Sequence, residues 1–249
     1  MAPQTACFIV IGNEILSGRT QDANTVVLAH ALNCQGIKLE ETRTIPDIRE
    51  RIISTLNECR TRFDFIFTSG GIGPTHDDIT SSSIADALGL PLTCHEETFT
   101  LLEKCFEPGS FNKARQRMAW FPQGAEPIKS DISVAPGFSI KNIYVMAGVP
   151  SIFHSMVNWL VPRLPKGKPL QSLSWYGFNV YESSIAEPLT KLQEEYPTLD
   201  LGSYPFEKGE KKGVALVAKG YDAQSVQEAG KRIKLILQNI KATPFEGDP

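Results

Sequence analysis

An apolar run, Phe63-Asp64-Phe65-Ile66-Phe67, passes through Thr68 and Ser69 straight into Gly70-Gly71-Ile72-Gly73-Pro74. Thr75-His76-Asp77-Asp78 and a helix-forming stretch after Thr80 follow. A strand that ends on glycines and restarts as a helix is half of a strand–helix–strand unit, which implies a parallel sheet with helices on its faces. The glycines let the backbone approach a ligand closely and turn its N–H groups toward an anion. Carboxylates just beyond such a loop are placed to hold a divalent metal against a phosphate. The stretch therefore points to a phosphorylated or nucleotide-like small molecule.

The same alternation extends on both sides of the loop. Ala6-Cys7-Phe8-Ile9-Val10-Ile11 is apolar throughout up to Gly12, as expected of a strand buried on both faces. Asp22 is placed to cap a helix whose Val27, Leu28, Ala31 and Leu32 share one stripe, and Gly36 closes it. A strand over 37–43 follows. Asp47-Ile48-Arg49-Glu50 has the form of a capping box, with Ile48, Ile52 and Leu56 on the inner face of its helix. The glycine loop leads to a helix over 81–88 and then Gly89. Helices over 95–106 and 112–118, an irregular or hairpin-like stretch from Phe121, a buried strand over 142–146 and a helix over 151–161 entered through Pro150 complete this part.

The three prolines and the glycine of 162–169 bar regular structure and mark a linker. Beyond it the pattern predicts a strand over 172–180 and a helix opened at Ser184 with Pro188 in its first turn. Strands near 199–204 and 212–218 follow, then a helix from Asp222 with Val226, Ala229, Ile233, Leu237 and Ile240 on one face. The expected architecture is α/β: a three-layer, mostly parallel sheet with helices on both faces over 1–165, plus a small α+β domain over 170–249.

Bulk properties narrow the function. At 249 residues, 41% hydrophobic, the chain is long enough for one medium and one small domain. A net charge of −3, with Lys208, Lys211 and Lys212 the nearest thing to a basic cluster, excludes a nucleic-acid binder. No apolar run reaches membrane-spanning length, and segment 1–7 lacks the charged and apolar regions of a signal peptide. Five cysteines without paired spacing read as reduced thiols and predict a cytoplasmic protein.

The glycine spacing is neither that of a Walker loop nor that of a dinucleotide fingerprint. Position argues for function instead, because ligands in open α/β sheets bind outside the carboxyl ends of the strands. Ser69, Gly70, Gly71, Ile72, Gly73 and Thr75 are therefore candidate substrate-binding residues. Of the adjacent Asp77 and Asp78, one can bind metal while the other caps the helix, and both can answer the helix dipole. Asp78 is the better metal candidate. Asp47 has the pattern of an N-cap, yet at the end of the second strand it could share one Mg²⁺ with Asp78. Glu14 has no periodic role and reads as a cleft residue or as surface loop. Asp22 and Asn24 read as caps. His30, His76, His95 and His154 lack metal-ligand spacing, and only His76 lies inside the loop. Cys94 and His95 are adjacent, a poor geometry for a catalytic dyad.

Together these segments resemble the MoaB/Mog-type molybdopterin-binding domain, and within it the N-terminal region of the CinA (competence/damage-inducible protein A) family. Gly12-Asn-Glu-Ile-Leu-Ser-Gly18 is similar to that family's Gly-Asp-Glu-Leu-Leu-x-Gly, with Asn13 in place of Asp. Asp22-x-Asn24, Thr44-Ile-Pro-Asp47 and, almost letter for letter, Ser69 through Thr80 follow the pattern. Arg117-Met-Ala, Pro122-Gln-Gly-Ala-Glu126, Ala135-Pro-Gly-Phe138 and Met146-Ala-Gly-Val-Pro150 complete it. Where the family often has Ser-Glu-Met, this chain has Ser151-Ile152-Phe153. The first domain also resembles the N-terminal part of eukaryotic FAD synthases. The resemblance implies that Asp47 and Asp78 bind Mg²⁺ and act in phosphoryl chemistry, that the glycine loop holds pterin or phosphate, and that the chain forms a homo-oligomer, a dimer or trimer.

Three functions follow from these expectations. The first is a metal-dependent pyrophosphatase acting on ADP-ribose- or FAD-like substrates, with Asp78 and Asp47 in the catalytic and metal-binding roles. The second is a protein that binds or adenylylates molybdopterin in molybdenum-cofactor biosynthesis. The third is a nucleotide-binding domain without catalysis.

Overall fold

A computed structural model describes residues 3–107 and 109–249, so Met1 and Ala2 of the N-terminal segment read above lie outside it. The chain forms two compact units, one ending at Gly167 and the other beginning at Lys168.

The first unit opens with β1 (Gln4–Ile11), α1 (Asn13–Leu16), α2 (Asn24–Gln35), β2 (Ile37–Ile45), α3 (Arg49–Cys59), β3 (Phe65–Ser69) and α4 (Thr80–Leu88). A short hairpin-like pair, β4 (Leu92–Cys94) and β5 (Trp120–Pro122), brackets α5 (Glu96–Cys105) and α6 (Lys113–Gln116). Then come β6 (Glu126–Ile128), β7 (Gly137–Ile140), β8 (Ile143–Met146) and α7 (Pro150–Leu160). The main sheet has the order β2-β1-β3-β8-β7-β6. β2, β1, β3 and β8 pair in parallel, and β7 and β6 continue antiparallel at one side.

The apolar run of β1 shows why this sheet is covered twice. Ala6, Phe8 and Val10 enter a core with Leu28 and Leu32 of α2 and Phe153, Met156 and Val157 of α7. The alternate residues Cys7, Ile9 and Ile11 enter a second core with Ile52 and Leu56 of α3 and Ile84 of α4. Each of the larger apolar side chains among them contributes about 1.5–3 kcal/mol on burial, so helices on both faces are required to use both halves of the strand. Gly36 and Gly89 end α2 and α4 in the left-handed conformation.

Local capping differs from the sequence pattern in instructive ways. Asp22 acts one residue outside its expected place: α2 begins at Asn24, and Asp22 Oδ1 accepts the N–H groups of Asn24 (2.9 Å) and Thr25 (3.3 Å). Asp47 is not a cap at all. α3 is preceded by Ile48 without a side-chain cap, and Ile48 is 47% exposed rather than inward-facing, whereas Ile52 and Leu56 are buried. His95 caps α5, its Nδ1 accepting the Thr98 N–H at 3.2 Å, which gives that histidine a structural role.

The second unit contains β9 (Gln171–Phe178), α8 (Glu182–Glu195), β10 (Asp200–Lys208), β11 (Lys211–Gly220), α9 (Ala223–Asn239) and β12 (Phe245–Glu246). Its antiparallel sheet has the order β10-β11-β9-β12, the split β-α-β arrangement. β12 is the element that the sequence pattern does not reveal. Val214, Leu216 and Ala218 of β11 pack on Ile185 and Leu192 of α8 and Ile233 and Leu237 of α9. Asp222 caps α9 as expected, accepting the Ser225 N–H at 3.0 Å. Pro188 lies inside α8 rather than in its first turn, so the hydrogen bond an N–H there would give to the Ser184 carbonyl is missing. On the sheet face away from the helices, Tyr176, Phe178, Phe206 and Phe245 pack against one another with ring centroids 5.3–5.9 Å apart. No helix among the described residues is long and apolar enough to cross a membrane.

Candidate functional site

Parallel pairing brings the carboxyl ends of β1, β2, β3 and β8 to one edge of the sheet. The loops that leave them enclose a cavity of about 540 Å³, within the range of small-molecule sites. Glycine is obligatory where β3 leaves the sheet. Gly70 has φ +105°, and a Cβ there would stand 2.1 Å from the Ile11 carbonyl oxygen, so β3 can end beside β1 only without a side chain. Gly71 (φ +68°) is equally close, in the same sense, to the Thr80 hydroxyl. The backbone N–H groups of Gly71, Ile72 and Gly73 have no protein acceptor among the described residues, while Gly70 N–H is spent on the Met146 carbonyl at 3.1 Å.

Glu14, Asp47, Asp77 and Asp78 line this cavity with Gly70, Gly71, Ile72, Gly73 and Thr75. Asp47 Oδ2 accepts the Asn13 N–H at 2.8 Å, a bond that joins the ends of β1 and β2 and explains why this carboxylate does not cap α3. Asp78 Oδ2 accepts the Thr75 N–H and hydroxyl, both at 2.7 Å, so it organises the loop rather than the start of α4. The Thr75 hydroxyl also lies against Asp77 Oδ1 and, with one proton, donates to one carboxylate at a time. That hydroxyl holds the Asp77 carboxyl below the usual carboxylate range. Oδ1 of Asp47 and Oδ1 of Asp78 accept no hydrogen bond among the described residues.

Ser69 departs from the sequence expectation. It is buried and does not line the cavity; its hydroxyl accepts from Asn24 Nδ2 at 2.7 Å and donates to the Ala147 carbonyl at 3.3 Å. Asn24 also donates to the Gly148 carbonyl at 2.9 Å, so it ties α2 to the loops after β3 and β8. His76 is fully exposed and turned away from the cavity lining. Thr20 and Ser133, which the sequence reading passed over, complete the walls with Met118, Pro136, Val149 and Ile152, which it named only in the comparison with the family pattern. Beside them Arg117 donates to the carbonyls of Thr75 (3.4 Å) and Asp78 (3.1 Å). The motifs Arg117-Met-Ala, Ala135-Pro-Gly-Phe138 and Met146-Ala-Gly-Val-Pro150 are the available signals for Arg117, Met118, Pro136 and Val149.

No three His, Cys, Asp or Glu side chains among the described residues converge as a ready metal cage. The donor set nonetheless fits a hard divalent ion of the Mg²⁺ type, which takes one or two carboxylates and completes its shell from phosphate oxygens and water.

A mostly parallel sheet with a glycine-lined, carboxylate-bearing cleft at its strand ends defines an α/β small-molecule-binding domain. Residues 7–166 match the family described as a probable molybdopterin binding domain, and residues 175–246 match the middle domain of FAD synthase. The chain belongs to this MoaB/Mog-type molybdopterin-binding domain family and is CinA-like. A protein from Archaeoglobus fulgidus is 30% identical over 232 residues, covering 93% of this chain and 97% of the relative. A CinA-like protein from Anaeromyxobacter sp. is 34% identical over 162 residues, 61% of this chain and 39% of that one. The crystal structure of the protein CinA from Thermoplasma acidophilum, described as of unknown function, superposes with a TM-score of 0.60 at 26% identity. It covers 64% of this chain and 96% of that structure.

Proposed function

We propose that this chain is a metal-dependent pyrophosphatase that hydrolyses a nucleotide diphosphate of the ADP-ribose or FAD type. One observation favours this reading above the others: free loop N–H groups and four carboxylates share a cavity that contains no Lys or Arg. The N–H groups suit phosphate oxygens, and the carboxylates repel them unless a cation stands between. Asp47 and Asp78, each with one oxygen free, are the residues that would hold such an ion. Bound there, a divalent ion supplies charge neutralisation and lowers the pKa of an attacking water. The chain's own part is positional. Gly71, Ile72 and Gly73 donate to the phosphate, Thr75 fixes the Asp78 carboxylate, and Ile72, Met118 and Ile152 exclude bulk water from the substrate's apolar half.

The test is AMP release from ADP-ribose and FAD with Mg²⁺, Mn²⁺ or Co²⁺. Asp78→Asn and Asp47→Asn are each expected to lower turnover about 100-fold or more while the fold survives. Hydrolysis retained in both variants sinks the assignment. The family description and the apolar wall support a second reading, the binding or adenylylation of molybdopterin; pterin binding without hydrolysis of either diphosphate would select it. Nucleotide binding without metal-stimulated turnover would leave a binding domain.

A further inference from the structure

A smaller cavity of about 120 Å³ lies beside the first. Ile72, Gly73 and Asp78 line both cavities, so the two adjoin along these residues. The linings differ in charge. The large cavity has four carboxylates and no Lys or Arg. The small one shares Asp78 and adds Arg117, flanked by Ser81 and Trp120. Arg117 spends two of its five N–H donors on backbone carbonyls. Among the described residues no carboxylate stands within ion-pair distance of it. Its charge therefore stands beside the glycine loop in the same lining as Asp78, without a direct ion pair to that carboxylate. Trp120, 40% exposed, offers an indole at the rim.

We propose that the small cavity is a second substrate subsite, taking the far phosphoryl group of a diphosphate diester on Arg117 and that group's ester substituent against Trp120. This rests on the diphosphate reading above and sharpens it. Size divides the substrate: about 120 Å³ corresponds to roughly four waters at about 30 Å³ each, room for a phosphoryl group and not for a nucleoside. The nucleoside then belongs in the cavity of about 540 Å³, and the diphosphate bridge crosses at Asp78. Arg117 distinguishes diphosphates from monophosphates through charge-assisted hydrogen bonds, and Trp120 distinguishes substituted from bare diphosphates.

Calorimetric binding of ADP-ribose, ADP and AMP to the full chain, with Ca²⁺ as the divalent ion, tests this. Arg117→Met should weaken ADP-ribose and ADP by about 10- to 100-fold and AMP by less than about threefold, with Arg117→Lys recovering part of the loss. Trp120→Ala should weaken ADP-ribose and spare ADP. Equal weakening of all three ligands by Arg117→Met would mean that the arginine only braces the Thr75 and Asp78 carbonyls, and would overturn the subsite. So would unchanged ADP-ribose binding in Arg117→Met, or no binding of any of the three to the unaltered chain. A chain that binds in the expected ratios yet releases no AMP refutes the hydrolase reading and leaves the subsite standing.

Discussion

The two units use similar material to opposite ends. In the first, four parallel strands finish on the same edge, so the loops that leave them line one cleft, those after β1, β2 and β3 with carboxylates and the one after β8 with a largely apolar wall. In the second, antiparallel neighbours send successive strand ends to opposite edges. Its conspicuous grouping is an aromatic cluster on one sheet face, where side chains pack against one another. Strand direction, more than composition, decides where polar chemistry can gather.

A single type of substitution probes this contrast at its strongest. Gly70→Ala sets a methyl 2.1 Å from a backbone oxygen at φ +105°, and neither can give way without moving the end of β1 or β3. A loss of about 3 kcal/mol or more, read by denaturant titration, is expected together with loss of ligand binding. Gly230→Ala, in α9 of the second unit, meets only the Leu173 side chain, at 2.1 Å. Leu173 can rotate at about 1 kcal/mol, and the helix gains about 1 kcal/mol from alanine, so the net change should stay within about 1 kcal/mol. If the two variants cost the same, the distinction between a site built on backbone and a core built on side chains fails.

The smallest effect belongs to the surface network between β2 and the end of α3 in the first unit. Arg43 holds the Glu58 carboxyl down to about 2 from the usual 4.5. The folded value lies below the unfolded one, so the stabilisation is present above about pH 4.5 and is lost as pH falls toward about 2. Glu58→Gln should therefore lower the melting temperature slightly at pH 7, where exposed pairs are worth little. The gap should close on acidification. A gap that widens instead would show the sign to be wrong.

Most elements were legible because their signals are local. Alternation in β1, the stripe of α9, and Gly36 and Gly89 after their helices each depend on neighbours a few residues away. The errors share the opposite cause. Asp47 has every local mark of a cap, yet its partner is Asn13, and only sheet pairing brings the two together. Ser69 belongs to the loop motif in sequence, but the side chain of Asn24 draws its hydroxyl into the interior. β12 is two residues long and exists only because β9 offers it an edge. Arg117 reads in sequence as part of a helix and of the family pattern and Trp120 has no reading, and only the fold sets them against the glycine loop.

The bond from Asn24 to the Gly148 carbonyl spans 124 residues, and Ser69 joins the same small network through Ala147. The cleft is thus closed by the last strand of its sheet to be made. A ribosome-bound chain that has not yet released β8 possesses the glycine loop and both aspartates but lacks the wall that holds them in register. Contacts of such sequence separation form late. Ligand capture should therefore report completion of the first unit, and a bound ligand would stabilise finished molecules alone.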